Sequence, residues 1–126
     1  LASHDRAFIF RLQQIGVPQE LADLLANPFV MKIGAAVHDD IRGLQGYTNF
    51  TPRGFIDLQR LCGEFGIEEK SVRKMAAIIL GKRVSKSQQL SNWESAQLSE
   101  AQLKYASTDA WVCLEMFDEL KLKGFV

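Results

Sequence analysis

Cysteine is scarce in this chain of 126 residues: only Cys62 and Cys113 occur, far apart and each among apolar neighbours. With no Cys-x-x-Cys pair and no Cys/His cluster, nothing in the sequence suggests a zinc site. The two thiols read as small buried hydrophobes in a reducing compartment, so a cytoplasmic location is expected. No apolar run approaches the ~20 residues of a membrane span, and no signal peptide opens the chain. Neither sign of charge dominates, with 15 Lys and Arg against 15 Asp and Glu. A global basic field is therefore absent, which weighs against a protein held on nucleic acid by counterion release alone. Repeats, low-complexity tracts and linkers are lacking too. The length fits one domain and can bury roughly two thirds of the unfolded surface. The chain opens on Leu1 rather than Met, so a fragment or a processed chain is expected.

What is present alternates strand and helix signals. Ala7 to Phe10 reads as a short strand, and Pro18 suits the first turn of a helix running to about Ala26, where Asn27-Pro28 stops it. Val30 to Val37 is apolar apart from Lys32 and reads as a strand buried on both faces. A short helix is expected from about Asp39 to Gln45, then a loop from Tyr47 to Arg53, then a second short strand at Phe55-Ile56. Leu58, Leu61, Cys62 and Phe65 mark one helical face closed by Gly66. Ser71 can cap a helix carrying Val72, Met75, Ala76 and Ile79, stopped by Gly81. Residues 82 to 93 show no period. The clearest element is last: Ser99 and Gln102 stand at capping-box spacing, and an apolar stripe from Leu103 to Leu120 repeats every three or four residues up to Gly124. Such alternation with buried strands predicts an α/β layered domain.

Tyr105 and Asp109 stand one turn apart on the same side of that last helix. A carboxylate beside an apolar stripe is costly unless it is paired or holds a metal. Taken alone, Asp109 reads first as a capping or salt-bridging group at the core edge, and Tyr105 as a packing residue. Asp39 and Asp40 follow a buried strand, where sites gather in open α/β sheets. Either could ligate a metal, but an N-cap is the simpler reading, with Asp39 the better cap and Asp40 one residue inside the helix. His38 alone is weak evidence for chemistry.

The combination is more specific. Val37-His38-Asp39-Asp40 is followed in order by Gly54-Phe55-Ile56-Asp57-Leu58, by Leu90-Ser91-Asn92-Trp93, and by Gln102-Leu103-Lys104-Tyr105-Ala106-Ser107-Thr108-Asp109-Ala110. This order and spacing resemble the DEDD superfamily of 3′–5′ exonucleases, and within it the tyrosine-containing subgroup of ribonuclease D and the Werner exonuclease domain. The resemblance covers nearly the whole chain, most clearly Lys32 to Leu120.

The resemblance implies a ribonuclease H-like layered α/β fold, a mixed sheet flanked by helices, in a single partial exonuclease domain over residues 1–126. It implies two Mg²⁺ or Mn²⁺ ions, roughly 3.5–4 Å apart, that assist a water in cleaving the terminal phosphodiester of a single-stranded 3′ end. A balanced net charge suits such a nuclease, whose acidic ligands offset its basic contacts. Asp40 falls on the middle motif's metal-binding Asp, Asp109 on the last motif's metal ligand, and Tyr105 on the tyrosine that holds the attacking water. Asp57 matches a recurrent Asp outside the catalytic set and is expected to be structural.

One departure matters. The family's first motif, Asp-x-Glu, occurs nowhere before Asp40. The chain is expected to lack the first one to two strands and half of the metal ligands, and so to be inactive alone. The strand at Val30 to Val37 is then expected to have an unpaired edge, open to self-association or to a separate N-terminal segment. Lys82, Arg83 and Lys86 precede the Tyr–Asp helix and are candidates for phosphate contact, with an ordinary solvated basic loop as the alternative. Trp93 could stack on a base, but anchoring of the loop is the simpler reading. Two rivals remain: a non-catalytic nucleic-acid-binding or interaction module on the same fold, and an unrelated α/β domain.

Overall fold

A computed structural model describes all residues 1–126. The elements in chain order are α1 (Leu12–Ile15), α2 (Gln19–Ala26), β1 (Lys32–Gly34), α3 (Val37–Gln45), β2 (Phe55–Asp57), α4 (Leu58–Glu64), α5 (Val72–Leu80) and α6 (Glu100–Leu122). They fall into two compact units: residues 10–68, and residues 1–9 together with 69–126. No helix is long and apolar enough to cross a membrane.

In the unit of residues 10–68, β1 and β2 pair in parallel, with Lys32 opposite Phe55, Ile33 opposite Ile56 and Gly34 opposite Asp57. α3 and α4 pack on β2. The parallel pair with its helices is the α/β arrangement expected, although the sheet has two strands only. β1 is shorter than the apolar run suggested. Val30 and Met31 are exposed, and the chain leaves the strand after Gly34 to enter α3 at Val37. Its one strand partner is β2, so its second edge carries no strand, as expected.

The turn into α3 corrects one expectation. Asp39 does not cap this helix; the N-cap position is Ala36, in the left-handed region at φ 57°. The capping acceptor comes from β2 instead. Asp57 accepts the N–H groups of Ala36 at 3.1 Å and Val37 at 3.3 Å, and also that of Gln59 at the start of α4 at 2.9 Å. One carboxylate thus satisfies orphan donors of two helices, which gives Asp57 the structural role expected of it.

Lys32, the polar exception in the apolar run, is buried. Its ammonium donates to the carbonyls of Leu24 at 2.8 Å and Asn27 at 2.7 Å, at the C-terminal end of α2 where the helix dipole is negative. It also lies 5.4 Å from the centre of the Phe55 ring. Gly54 makes room for this arrangement. It sits at φ +74°, and a Cβ there would meet the Val30 carbonyl oxygen at 2.6 Å and Lys32 Nζ at 3.1 Å.

In the other unit α5 packs against α6. Its buried residues include Met75, Ala76 and Ile79 of α5, and Val112, Cys113, Met116, Phe117 and Leu120 of α6. Ser71 holds the N-cap position of α5 but its hydroxyl makes no capping bond, while Gly81 closes the helix in the left-handed region. The expected strand at Ala7 to Phe10 does not form. Ala7 bridges only to Ala2, Phe8 exchanges backbone bonds with Leu1, and Phe8 is exposed. The pairing is a local hairpin, so the apolar run never reaches a sheet. Cys62 and Cys113 are both free and buried.

Candidate active site

α6 owes its start to a complete capping box. Ser99 Oγ accepts the Gln102 N–H at 3.1 Å, and Gln102 Oε1 accepts the Ser99 N–H at 2.9 Å. Gln102 does more than the pattern suggested. Its side chain is buried, and Nε2 donates to Ser91 Oγ at 3.0 Å and to the Asn92 carbonyl at 2.9 Å. The Ser91-Asn92-Trp93 turn is thereby fastened to the first turn of the helix that carries Tyr105 and Asp109. Trp93 Nε1 donates to the carbonyls of Gln88 at 3.1 Å and Gln89 at 3.3 Å, so Trp93 anchors its own loop. Its ring lies 5.9 Å from that of Tyr105, tilted by 47°.

Tyr105 stands one turn before Asp109 on α6, and its hydroxyl acts on the Asp109 carboxyl. Burial pushes the Asp109 carboxyl above the ordinary carboxylate range. The positive charge of Arg73 on α5 and the hydrogen bond from Tyr105 pull it back. Tyr105 also lines a cavity of about 410 Å³ with Lys82, Arg83, Lys104, Trp111 and Glu115. Two of the three candidate phosphate contacts, Lys82 and Arg83, thus share a cavity with Tyr105. Lys86 does not line it.

Asp40 belongs to the other unit, in the first turn of α3. Its carboxyl is raised above the ordinary range, first by burial and then by repulsion from Asp39 and Asp57. It makes no ion pair. Carboxylates are hard oxygen donors of the kind that suit Mg²⁺ or Mn²⁺. Asp57 already spends both oxygens on backbone N–H groups, which leaves Asp40 as the candidate ligand of this turn. No group of three or more His, Cys, Asp and Glu assembles into a metal-holding cluster, so the ligands that this chain offers are few. The donor chemistry fits a divalent ion, and the donor count is below a full set.

Arg73 and the second role of Gln102 were not legible in the linear sequence. The Arg73 charge acts on Asp109 only because α5 packs on α6, and no local pattern marks it. Gln102 stood out as a helix cap, and its link to the Ser91-Asn92-Trp93 turn had no signal beyond the two motifs sharing one chain.

A family model described as 3′-5′ exonuclease matches residues 2–124. Exonuclease 3'-5' domain-containing protein 2 of Drosophila melanogaster is 30% identical over 115 residues, covering 89% of this chain and 20% of that protein. Ribonuclease D of Haemophilus influenzae is 31% identical over 99 residues, covering 78% of this chain and 25% of that protein. Among solved structures, the Nibbler exonuclease domain of Aedes aegypti superposes with a TM-score of 0.68 at 27% identity, covering 82% of this chain and 59% of that one. The chain spans about a fifth to a quarter of these curated relatives. The match runs through both units and nearly end to end, and the chain belongs to the 3′–5′ exonuclease family of the DEDD superfamily.

Proposed function

We propose that this chain is the greater part of one exonuclease domain that removes nucleotides from the 3′ end of a single-stranded nucleic acid by metal-assisted hydrolysis. The observation that carries the reading is the placing of Tyr105 and Asp109 one turn apart on a helix whose start is locked to the preceding Ser91-Asn92-Trp93 loop. In this account Asp40 and Asp109 are the carboxylates that hold Mg²⁺ or Mn²⁺. Bound ions of this kind neutralise charge at a scissile phosphate and favour ionisation of water. Tyr105 orients the attacking water through its hydroxyl, a positioning task in which small displacements are costly. Lys82 and Arg83 contact phosphates and fix the strand without reading its bases, and Lys86 extends that contact. The two buried free thiols support a reducing, cytoplasmic setting.

The absence of Asp-x-Glu from these residues supports a further part of the proposal: the 126-residue chain by itself is inactive. The unpaired second edge of β1 supports pairing with a segment that carries the motif, or with a second copy. The test is Mn²⁺-dependent trimming of a 5′-labelled strand, comparing this chain with a longer protein in which a strand bearing Asp-x-Glu precedes it. The longer protein is expected to shorten the strand from its 3′ end and the shorter one to leave it intact. Robust trimming by the 126-residue chain alone contradicts the inactivity, and no trimming by the longer protein contradicts the enzyme.

A further inference from the structure

We propose that Arg73 and Lys74 of α5, facing Lys82, Arg83 and Lys86 of the following loop, form a groove that carries the sugar–phosphate backbone of a strand upstream of its 3′ terminus. This rests on the exonuclease reading above and extends it to a wall of the site that the loop motif alone does not contain. The groove encloses about 1010 Å³. Five cationic side chains line it and no acidic one does. In a chain with equal numbers of basic and acidic residues, such a concentration of one sign comes from placement and not from composition. Lys82, Arg83 and Lys86 are in no ion pair. Lys74 pairs with Glu69 only at 3.8 Å between exposed side chains, a contact of little strength. Arg73 donates to Gln89 Oε1 at 3.4 Å, a long bond, and its charge also acts on the Asp109 carboxyl without an ion pair between them.

Two features favour a nucleic-acid backbone in this groove, and the exonuclease reading gives its direction. No aromatic ring lines the groove, so it offers no platform for stacked bases and suits phosphates instead. Lys82, Arg83, Val84, Ser85 and Ser87 line both this groove and the cavity of Tyr105. A strand following the groove over this shared wall arrives at Tyr105, which places its 3′ end there and its upstream phosphates along α5.

Binding of 5′-labelled single strands by the 126-residue chain in EDTA, followed by fluorescence anisotropy across a salt series, tests this. Arg73→Gln, Lys74→Gln and Lys86→Gln are compared with Lys121→Gln, an exposed site on α6 outside the groove. All four positions lack a buried side chain, and circular dichroism checks that each variant keeps its helices. For a strand of about ten nucleotides, each groove variant is expected to weaken binding several-fold and to reduce the log–log salt slope by about 0.7, one phosphate's worth of counterions. A dinucleotide, too short to reach α5, is expected to be insensitive to Arg73→Gln and Lys74→Gln, and Lys121→Gln to behave as the parent. A wild-type slope in both Arg73→Gln and Lys74→Gln overturns the groove, as does competition by polyglutamate equal to that by an unlabelled strand. If Lys82→Gln or Arg83→Gln still lowers the slope in that case, the exonuclease reading stands without the groove. Failure of that reading shows separately, as absence of trimming by the longer protein.

Discussion

The rings of Trp93 and Tyr105 meet with centres 5.9 Å apart, and the Trp93 indole N–H is spent on the carbonyls of Gln88 and Gln89. Trp93 therefore positions Tyr105 from a loop that is itself tied to Gln102. Trp93→Leu in the longer protein is expected to reduce the trimming rate by about 10- to 100-fold, the scale of a small displacement of a positioned group. Mn²⁺ affinity should be unchanged, since the role assigned to Trp93 is to hold the Tyr105 ring. A parallel measurement of turnover and Mn²⁺ binding checks this split.

Removing the Tyr105 hydroxyl has a directional consequence. That hydroxyl lowers the Asp109 carboxyl, so Tyr105→Phe lets burial raise it further. Asp109 must be ionised to hold a cation. The acid limb of the rate–pH profile is then expected to move to higher pH, along with a loss of rate of about 100-fold for a mispositioned water. Thermal stability should barely change, because the ring and its packing on Trp93 remain.

The Asp40 carboxyl is raised by burial and by Asp39 and Asp57. A carboxyl raised in the folded state binds its proton more tightly there than in the unfolded chain. Its favourable contribution is complete below the unfolded value of 3.8 and is lost as pH rises through the higher folded value. At neutral pH in EDTA the ionised group costs stability. Asp40→Asn is therefore expected to raise the melting temperature at pH 7 and to have little effect below that unfolded value. Mn²⁺ should reverse the order of the two proteins at pH 7 when the longer protein is used. Melting curves at the two pH values, with and without Mn²⁺, measure both effects.

Lys32 ties the C-terminal carbonyls of α2 to β1. Lys32→Met keeps the stem and removes the charged donor, leaving the Leu24 carbonyl with only the Asn27 N–H and the Asn27 carbonyl with only the Val30 N–H. The expected cost is about 2–3 kcal/mol, and Gly54→Ala, which forces a Cβ into a left-handed turn against the Val30 carbonyl, should cost about as much. Chemical denaturation of the 126-residue chain gives both values. The two losses should add to less than their sum, because Gly54 makes the space in which Lys32 sits.

Local signals in the sequence carried most of the fold. The Ser99–Gln102 capping box, the stop at Gly81 and the part of the α6 stripe from Cys113 to Leu120 stand in the structure because each depends on neighbours within one or two turns, whereas Leu103, at the head of the expected stripe, is exposed. What failed depended on distant partners. Asp39 looked like the cap of α3, yet Asp57 supplies that cap from β2, across the chain. Ala7 to Phe10 looked like a strand, but a short apolar run cannot say whether a sheet edge waits for it. Lys32 looked like a lone exception, and its purpose lies in carbonyls eight and five residues away that point into the strand only after α2 has formed. Of the candidate site, Tyr105 and Asp109 were legible because a helix places them one turn apart. The charge of Arg73 near Asp109 was not, since it requires α5 to lie on α6.

Asp40 and Asp109, far apart in the chain, are the two carboxylates proposed above to hold the divalent ions. The most direct measurement is a double-mutant cycle on Mn²⁺ affinity, using calorimetry on the longer protein with Asp40→Asn, Asp109→Asn and both together. Shared ligation predicts that each single change weakens binding by at least about 10-fold and that the double change costs clearly less than the product of the two. Losses that multiply exactly, or Mn²⁺ affinity that survives either substitution, would contradict it.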